Sequence, residues 1–320
     1  MKPYTLLLAL SSLNTATANA IPAPNQPSTR ATWPNGPFTT SGRYILDGSG
    51  HNITYAGVNW PGHADVMIPE GLQYQSVESI VDKIKSLGMN AVRLTFAIQM
   101  VDELYSNGGK DVTIQKAFVQ ALGEKNGTAV LKRMLERNPR FTAKTNRLDV
   151  WDAVVAELGR REVGLAYMAN HGTALTPGTR RFRREDFAGY GQGKLVLELH
   201  NYGNDVKSCD SLKQNLERNG FEAMRGGKEV VNVFPVVMTE FGFQMDESTW
   251  RGVYASCSAG YLPSIKAGWM IWVLAGSYYV RSGVQDYEEG WGLLTHDWSA
   301  WRSQGFVDGA SRGMVRETSR

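Results

Sequence analysis

Glu240 closes the apolar run Pro235-Val236-Val237-Met238-Thr239 and is followed at once by Phe241-Gly242. A run this short reads as one buried strand. Such a strand has little reason to finish on Glu unless the carboxylate faces a cleft at the strand's C-terminal end. In barrels of alternating strands and helices, that end is where chemistry sits. A carboxylate so placed suits nucleophilic or acid–base work, which normally takes a second carboxylate, and none follows a comparable strand elsewhere. The bland reading of Glu240 is a charged strand terminus held in a salt bridge.

Other candidates lie in similar runs. Arg93 sits in Asn90-Ala91-Val92-Arg93-Leu94-Thr95-Phe96, where a structural ion pair is the alternative to a site role. His200 ends the run 195–200 and is the strongest functional candidate of five histidines, with a satisfied barrel-top histidine as its rival. Glu198 shares the parity of His200, so both point the same way from a sheet, as a buried barrel acid or a substitute proton donor. Tyr202 follows in a loop, where it could simply pack. Trp272 lies in the run 268–273 and is either a site platform or core, while Trp269, of opposite parity, reads as core. Asn59, Trp60 and His63 form a polar and aromatic stretch that reads as a substrate-binding rim or an ordinary surface loop. Asp286, Glu288 and Glu289 could reach a bound molecule or stand solvated.

The elements that must position these groups alternate. Runs 43–46 and 53–58 flank Asp47-Gly48-Ser49-Gly50, a hairpin signal. Residues 76–87 carry a helical apolar period, with Ser76 as a cap and Gly88 as the stop. Strand, helix, strand with short links makes a βαβ unit and predicts a parallel sheet. Residues 97–147 read as an elaborated loop holding short helices over 112–122 and 129–135, closed by a helix over 148–158. The second half resumes with helices over 209–219 and 249–262. Barrel strands are predicted to start at about Thr54, Ala91, Leu195, Phe234 and Trp269. Eight units need about 250 residues, and the segment between Leu158 and Leu195 has room for only one. The fold class is therefore an α/β barrel of the (β/α)8 TIM type, incomplete, with about five units recognisable and a contraction around 160–190.

Bulk properties exclude several partners. The 320 residues are 42% hydrophobic and 20% charged, with a formal net charge of +3, which gives no argument for nucleic acid or an anionic membrane. The cluster Arg180, Arg181, Arg183 and Arg184 is diluted by Glu185 and Asp186 and reads as a solvated loop. Lys2, the apolar run 4–10 and Ala18-Asn19-Ala20 read as a signal peptide over 1–20, too short to span a bilayer. A Pro-rich lead follows over 21–41, then one domain over 42–320. Export fits two N-glycosylation triplets, at Asn52 and Asn126, though such triplets also arise by chance. Cys209 and Cys257 are the only cysteines. They read as one disulfide in an oxidising compartment, or as two buried thiols. Neither has a Cys or His neighbour at ligand spacing, so no metal is expected, nor any cofactor.

Five pieces in order, Ala56-Gly57-Val58-Asn59-Trp60, Asn90-Ala91-Val92-Arg93-Leu94, Leu199-His200-Asn201-Tyr202, Met238-Thr239-Glu240-Phe241-Gly242 and Trp269-Met270-Ile271-Trp272, together resemble glycoside hydrolase family 5, especially its secreted fungal cellulase-like members. The likeness runs from about Gly42 to Trp301 with a break. It implies a (β/α)8 barrel and retaining hydrolysis of a β-glucan such as cellulose, with a polysaccharide or oligosaccharide as partner and a monomer as the working form. Glu240 would be the nucleophile and Arg93 would hold its carboxylate ionised. Tyr202 would hydrogen-bond that carboxylate, His200 would contact substrate and Trp272 would stack on a sugar.

The departure is equally specific. Family members end the fourth strand on Asn-Glu, whose Glu is the acid/base, and that pair occurs nowhere in this chain. Glu162, Glu185 and Asp186 are the nearest substitutes, and none follows a strand-like run. Gly164-Leu165-Ala166-Tyr167-Met168-Ala169 resembles a helix preceding the missing fourth strand, so two internal excisions flank it. Impaired activity, a catalytically silent carbohydrate-binding protein and a truncated gene product are all compatible with that loss.

Overall fold

The computed structural model describes residues 36–162, 164–166, 192–226, 230 and 233–319. The expected signal peptide, most of the Pro-rich lead, the arginine cluster, Glu185 and Asp186 lie outside the described residues. A small antiparallel sheet comes first: β1 (Thr39–Ser41), β2 (Tyr44–Leu46) and β3 (Asn52–Ile53). Ile45 pairs Ile53 across the expected hairpin. Asp47 shapes its turn, Oδ1 accepting from the Ser49 and His51 amides at 2.9 Å each.

Six parallel strands follow in one sheet: β4 (Ala56–Pro61), β5 (Ala91–Thr95), β6 (Gly164–Ala166), β7 (Leu197–Asn201), β8 (Val236–Phe241) and β9 (Gly268–Ile271). Their order is β6-β5-β4-β9-β8-β7. The first and last long strands, β4 and β9, are therefore neighbours, as they are where a barrel closes, with Gly57 opposite Met270. Among the described residues, β6 and β7 stand at the two edges. The fold is an incomplete TIM barrel. All five expected strands are present, joined by β6, where the sequence suggested a helix. The reason is pairing: β5 would otherwise expose a row of unpaired N–H and C=O groups, and Ala91, Val92 and Arg93 take Gly164, Leu165 and Ala166 as partners.

The strands separate two environments by alternation. Val58, Trp60, Val92, Leu94, Trp269, Ile271 and Met238 point outward into the core beneath the helices. Residues of the other parity point into the barrel, where Ala91 and Met270 form a small apolar layer with Tyr55. Above it the inward positions turn polar. Helix α1 (Val77–Ser86) shows how the outer layer forms. Ser76 caps it through the Ser79 amide, worth about 1 kcal/mol, and Val77, Ile80, Val81 and Ile84 are buried. Each such aliphatic side chain contributes roughly 1.5–3 kcal/mol.

The elaborated segment 97–147 holds α2 (Ile98–Ser106), α3 (Ile114–Leu122) and α4 (Glu124–Arg137), and α5 (Arg147–Arg160) closes it. Arg147 anchors its end, buried between Asp111 at 2.7 Å and Glu103 at 2.9 Å. Gly127 lets α4 lie against α3, since a Cβ there would meet the Phe118 carbonyl oxygen at 2.5 Å. Helices α6 (Cys209–Asn219) and α7 (Val253–Ser264) flank β7 to β9 and are joined by the Cys209–Cys257 disulfide. The hairpin β10 (Ser277–Arg281) and β11 (Val284–Glu288), which the sequence reading left unassigned, rises after β9. Short α8 (Gln304–Phe306) and α9 (Arg312–Ser319) end the described chain. Asn52 is exposed on β3, and Asn126 is exposed on α4 with its amide donating to Gln285 Oε1 at 2.6 Å. Among the described residues no helix is long and apolar enough to cross a membrane, and none groups as a metal site.

Candidate active site

The floor of the site is set by a bulge. Strand β8 carries one more residue than either neighbour: Met238 faces Leu199 and Glu240 faces His200, while Met238 faces Trp269 and Phe241 faces Ile271. Such an extra residue re-aims the side chains that follow. Val237 and Glu240, three apart, thus share the inward face, and Thr239 is folded into the wall. Thr239 is fully buried, its carbonyl accepting from Asn59 Nδ2 at 2.9 Å and its Oγ1 donating to Glu198 Oε2 at 2.7 Å.

Glu240 then sits among converging donors. Arg93 Nη1 donates to its Oε1 at 2.7 Å and Tyr202 Oη donates to its Oε2 at 2.9 Å. The same guanidinium nitrogen reaches Asn59 Oδ1 at 2.8 Å. Arg93 is 6% exposed, so its charge acts through protein rather than bulk water and counts for more. Burial pushes the Tyr202 phenol above its ordinary range, and the charge of Glu240 adds to the shift. Tyr202 therefore stays a neutral donor.

His200 stands between two carboxylates. Its Nδ1 lies 3.4 Å from Glu240 Oε2 and its Nε2 lies 3.6 Å from Glu198 Oε2. Arg93 Nη2 is 3.9 Å from Glu198 Oε2 as well. Desolvation alone would raise the Glu198 carboxyl. The contacts with His200 and Thr239 and the positive charge of Arg93 outweigh it, and the carboxyl titrates below its ordinary range. Glu198 is accordingly an anion at neutral pH and unsuited to giving up a proton.

The walls are aromatic. Trp272 follows β9, its amide donating to the Phe241 carbonyl at 2.7 Å. Gly242 permits this closeness, because a Cβ would meet the Trp272 carbonyl oxygen at 2.2 Å. His63 is exposed on the loop after β4, with its ring 6.1 Å from that of Trp272 and Nδ1 2.6 Å from Thr95 Oγ1. Desolvation and the nearby Arg281 lower its pKa, which keeps the ring neutral. Trp291, which the sequence reading did not single out, packs 5.7 Å from Tyr202.

Two expected rim residues are placed differently. Trp60 is 0% exposed, pointing outward against Trp298 with Nε1 donating to the Glu70 carbonyl at 3.0 Å. It cannot touch a molecule in the cleft. Alternation is the cause: Asn59 and Trp60 are adjacent on β4 and face opposite sides. Asn59 faces inward but is fully buried under Arg93, as a support rather than a rim. Glu162 lies near Lys85, at 3.9 Å, and lines a cavity of about 430 Å³ with Thr54, Asn90 and Gly268 at the opposite end of the strands. It is no substitute acid. Glu289 is buried and pairs with the partly exposed Arg281, and Glu288 and Asp286 both engage His296.

No protein-family model matches the chain. A glycosyl hydrolase 5 family protein from Chamaecyparis obtusa is 23% identical over 370 residues, taking in 85% of this chain. The chain spans 65% of that relative's length. The alignment is longer than the 320-residue chain, so the relative carries residues with no counterpart here. In fold, the catalytic domain of the major endoglucanase from Xanthomonas campestris pv. campestris superposes with a TM-score of 0.56 at 16% identity, covering 88% of this chain and 99% of that one. A hyperthermostable endocellulase superposes with a TM-score of 0.55 at 15% identity, covering 89% and 100%. With a relative that carries the family's name and a parallel sheet that closes β4 on β9 as a barrel does, the chain resembles glycoside hydrolase family 5.

Proposed function

We propose that the chain is a secreted glycoside hydrolase that acts on a β-linked glucan such as cellulose by a retaining mechanism, with Glu240 as nucleophile. The observation that carries the reading is the clamp on Glu240: a buried guanidinium on one oxygen and a neutral phenol on the other, beside an indole. The clamp holds a carboxylate ionised and oriented, which is what attack on an anomeric carbon needs. Trp272 offers an apolar face to a pyranose ring, and His63 and His200 border the same space. In the forward step Glu240 bonds to the anomeric carbon and the leaving oxygen departs with the bond's electron pair, taking a proton from water. A water oxygen then bonds to the anomeric carbon, the bond to Glu240 breaks to return its carboxylate, and the water's proton passes to solvent.

Retaining hydrolysis takes two carboxyl groups about 5 Å apart. Among the described residues none beside Glu240 is free to protonate the leaving oxygen, so the activity is impaired on natural sugars. Intact-mass measurement after incubation with a 2-deoxy-2-fluoro glucoside carrying a dinitrophenolate leaving group tests the reading. One glucosyl adduct on Glu240 is expected, and no adduct at any concentration would refute it.

The tied, anionic state of Glu198 favours a second reading, a carbohydrate-binding protein without turnover. Binding of cello-oligosaccharides with no adduct on Glu240, abolished by Trp272→Ala, would select it. A monomer, export and glycans at Asn52 and Asn126 complete the proposal.

A further inference from the structure

Glu198 is a charged group in the cleft that takes no part in the proposed reaction. It is inward-facing on β7, its side chain only 10% exposed. The charged groups that face it are Arg93 from β5, His200 from its own strand and, beyond His200, Glu240 from β8. Its shortest contact is none of these but the hydroxyl of Thr239, at 2.7 Å. Thr239 belongs to the bulge that turns Glu240 inward. The bulge is therefore pinned from two sides, by Asn59 on its carbonyl and by Glu198 on its hydroxyl.

We propose that Glu198 is a positioning residue that acts through Thr239 to hold Glu240 at its angle of attack. The inference rests on Glu240 being the nucleophile. A carboxylate accepting from a buried hydroxyl forms a short, strong hydrogen bond. A bulge without such a tie has a nearby alternative, the unbulged register, in which Glu240 would turn into the wall. His200 Nε2 stands 3.6 Å from the same carboxylate, beyond hydrogen-bond reach, so the tie to the bulge runs through the Thr239 hydroxyl. Misplacement of a reacting group by an ångström costs on the order of 100-fold in rate.

The test compares labelling by the fluoroglucoside in the full chain and three variants, separating the limiting rate from the half-saturating concentration. Glu198→Gln keeps shape and removes the charge, and is expected to label roughly 10- to 100-fold more slowly at an unchanged half-saturating concentration. Thr239→Val should reproduce the loss, Thr239→Ser should restore the rate to within about threefold, and the double variant E198Q/T239V should be no slower than either single change, as one shared tie demands. Labelling of E198Q or T239V at the wild-type rate overturns the proposal, as does a loss confined to the half-saturating concentration. If E198Q lacks a cooperative thermal transition, the Thr239 pair decides alone. Absence of labelling in the unaltered chain sinks the hydrolase reading itself, and a labelled wild type with unaffected variants sinks the role of Glu198 only.

Discussion

Arg93 and Glu240 meet at 2.7 Å from β5 and β8, strands with β4 and β9 between them in the sheet, and the pair is nearly closed to solvent. Breaking such a pair from the cationic side leaves the Glu240 and Glu198 carboxylates uncompensated, whereas Glu240→Gln leaves Arg93 with Glu198 still 3.9 Å away as a counter-charge. Arg93→Ala is therefore expected to destabilise the fold by about 3–5 kcal/mol, and Glu240→Gln by much less. Urea unfolding of both variants at neutral pH checks this. Equal losses would mean that the pair is not the electrostatic unit its geometry describes.

Trp272 and Trp60 separate recognition from stability. Trp272 is half-buried beside His63, and Trp60 is sealed under the helices. Trp272→Ala is expected to weaken cello-oligosaccharide binding by more than about tenfold, roughly 1.4 kcal/mol, with little change in melting temperature. Trp60→Ala should do the reverse, costing about 3–5 kcal/mol of stability. Isothermal titration and thermal melts on both variants distinguish the two, and loss of binding in a folded Trp60→Ala protein would contradict the placement.

How much of this was legible beforehand depends on the kind of interaction. Local pattern carried the elements: Ser76 with its apolar period marked α1, and Asp47-Gly48 marked the first hairpin, because caps and turns are decided by neighbours in sequence. Strand parity also placed Glu198 and His200 on one face of their strand. The same rule, applied to β4, separates Asn59 from Trp60, so that correction was within reach. The bulge was not. An extra residue in β8 exists only relative to β7 and β9, and no feature of Met238-Thr239-Glu240 announces which neighbours it will face. Strand β6 was hidden for a similar reason, since three residues carry no periodicity and their pairing depends on the open edge of β5.

The leaving group should govern reactivity. On the proposed reading, in which no acid assists, a natural sugar leaves as an alkoxide, while a nitrophenolate leaves unaided. General acid assistance is worth about 10²–10⁴ in rate. Turnover of dinitrophenyl cellobioside is therefore expected to fall short of a complete relative's by a much smaller factor than turnover of cello-oligosaccharides does. Initial rates for both substrates on both proteins measure the two factors, and equal factors would place a working acid in the site.

Glu70 supplies a pH dependence unconnected with the cleft. Its carboxyl is fully buried, Oε2 accepting from the Tyr279 amide at 2.7 Å. Burial, with Asp65 adding to it, pushes its pKa well above the ordinary carboxylate range, and the Tyr279 amide only partly opposes the shift. Burial thus favours the neutral acid in the folded protein, whereas the unfolded chain carries an anion at neutral pH. A folded pKa above the unfolded one means that its contribution is complete below the unfolded pKa, near 4.5, and is lost as pH rises toward the folded value. Over that window the loss runs at about 1.4 kcal/mol per pH unit. Glu70→Gln keeps an acceptor for Tyr279 and cannot ionise, so the variant should gain stability relative to the parent as pH rises from 5 to 8. Urea midpoints for the two proteins at several pH values measure the gain, and parallel curves would show that Glu70 is charged in the native state.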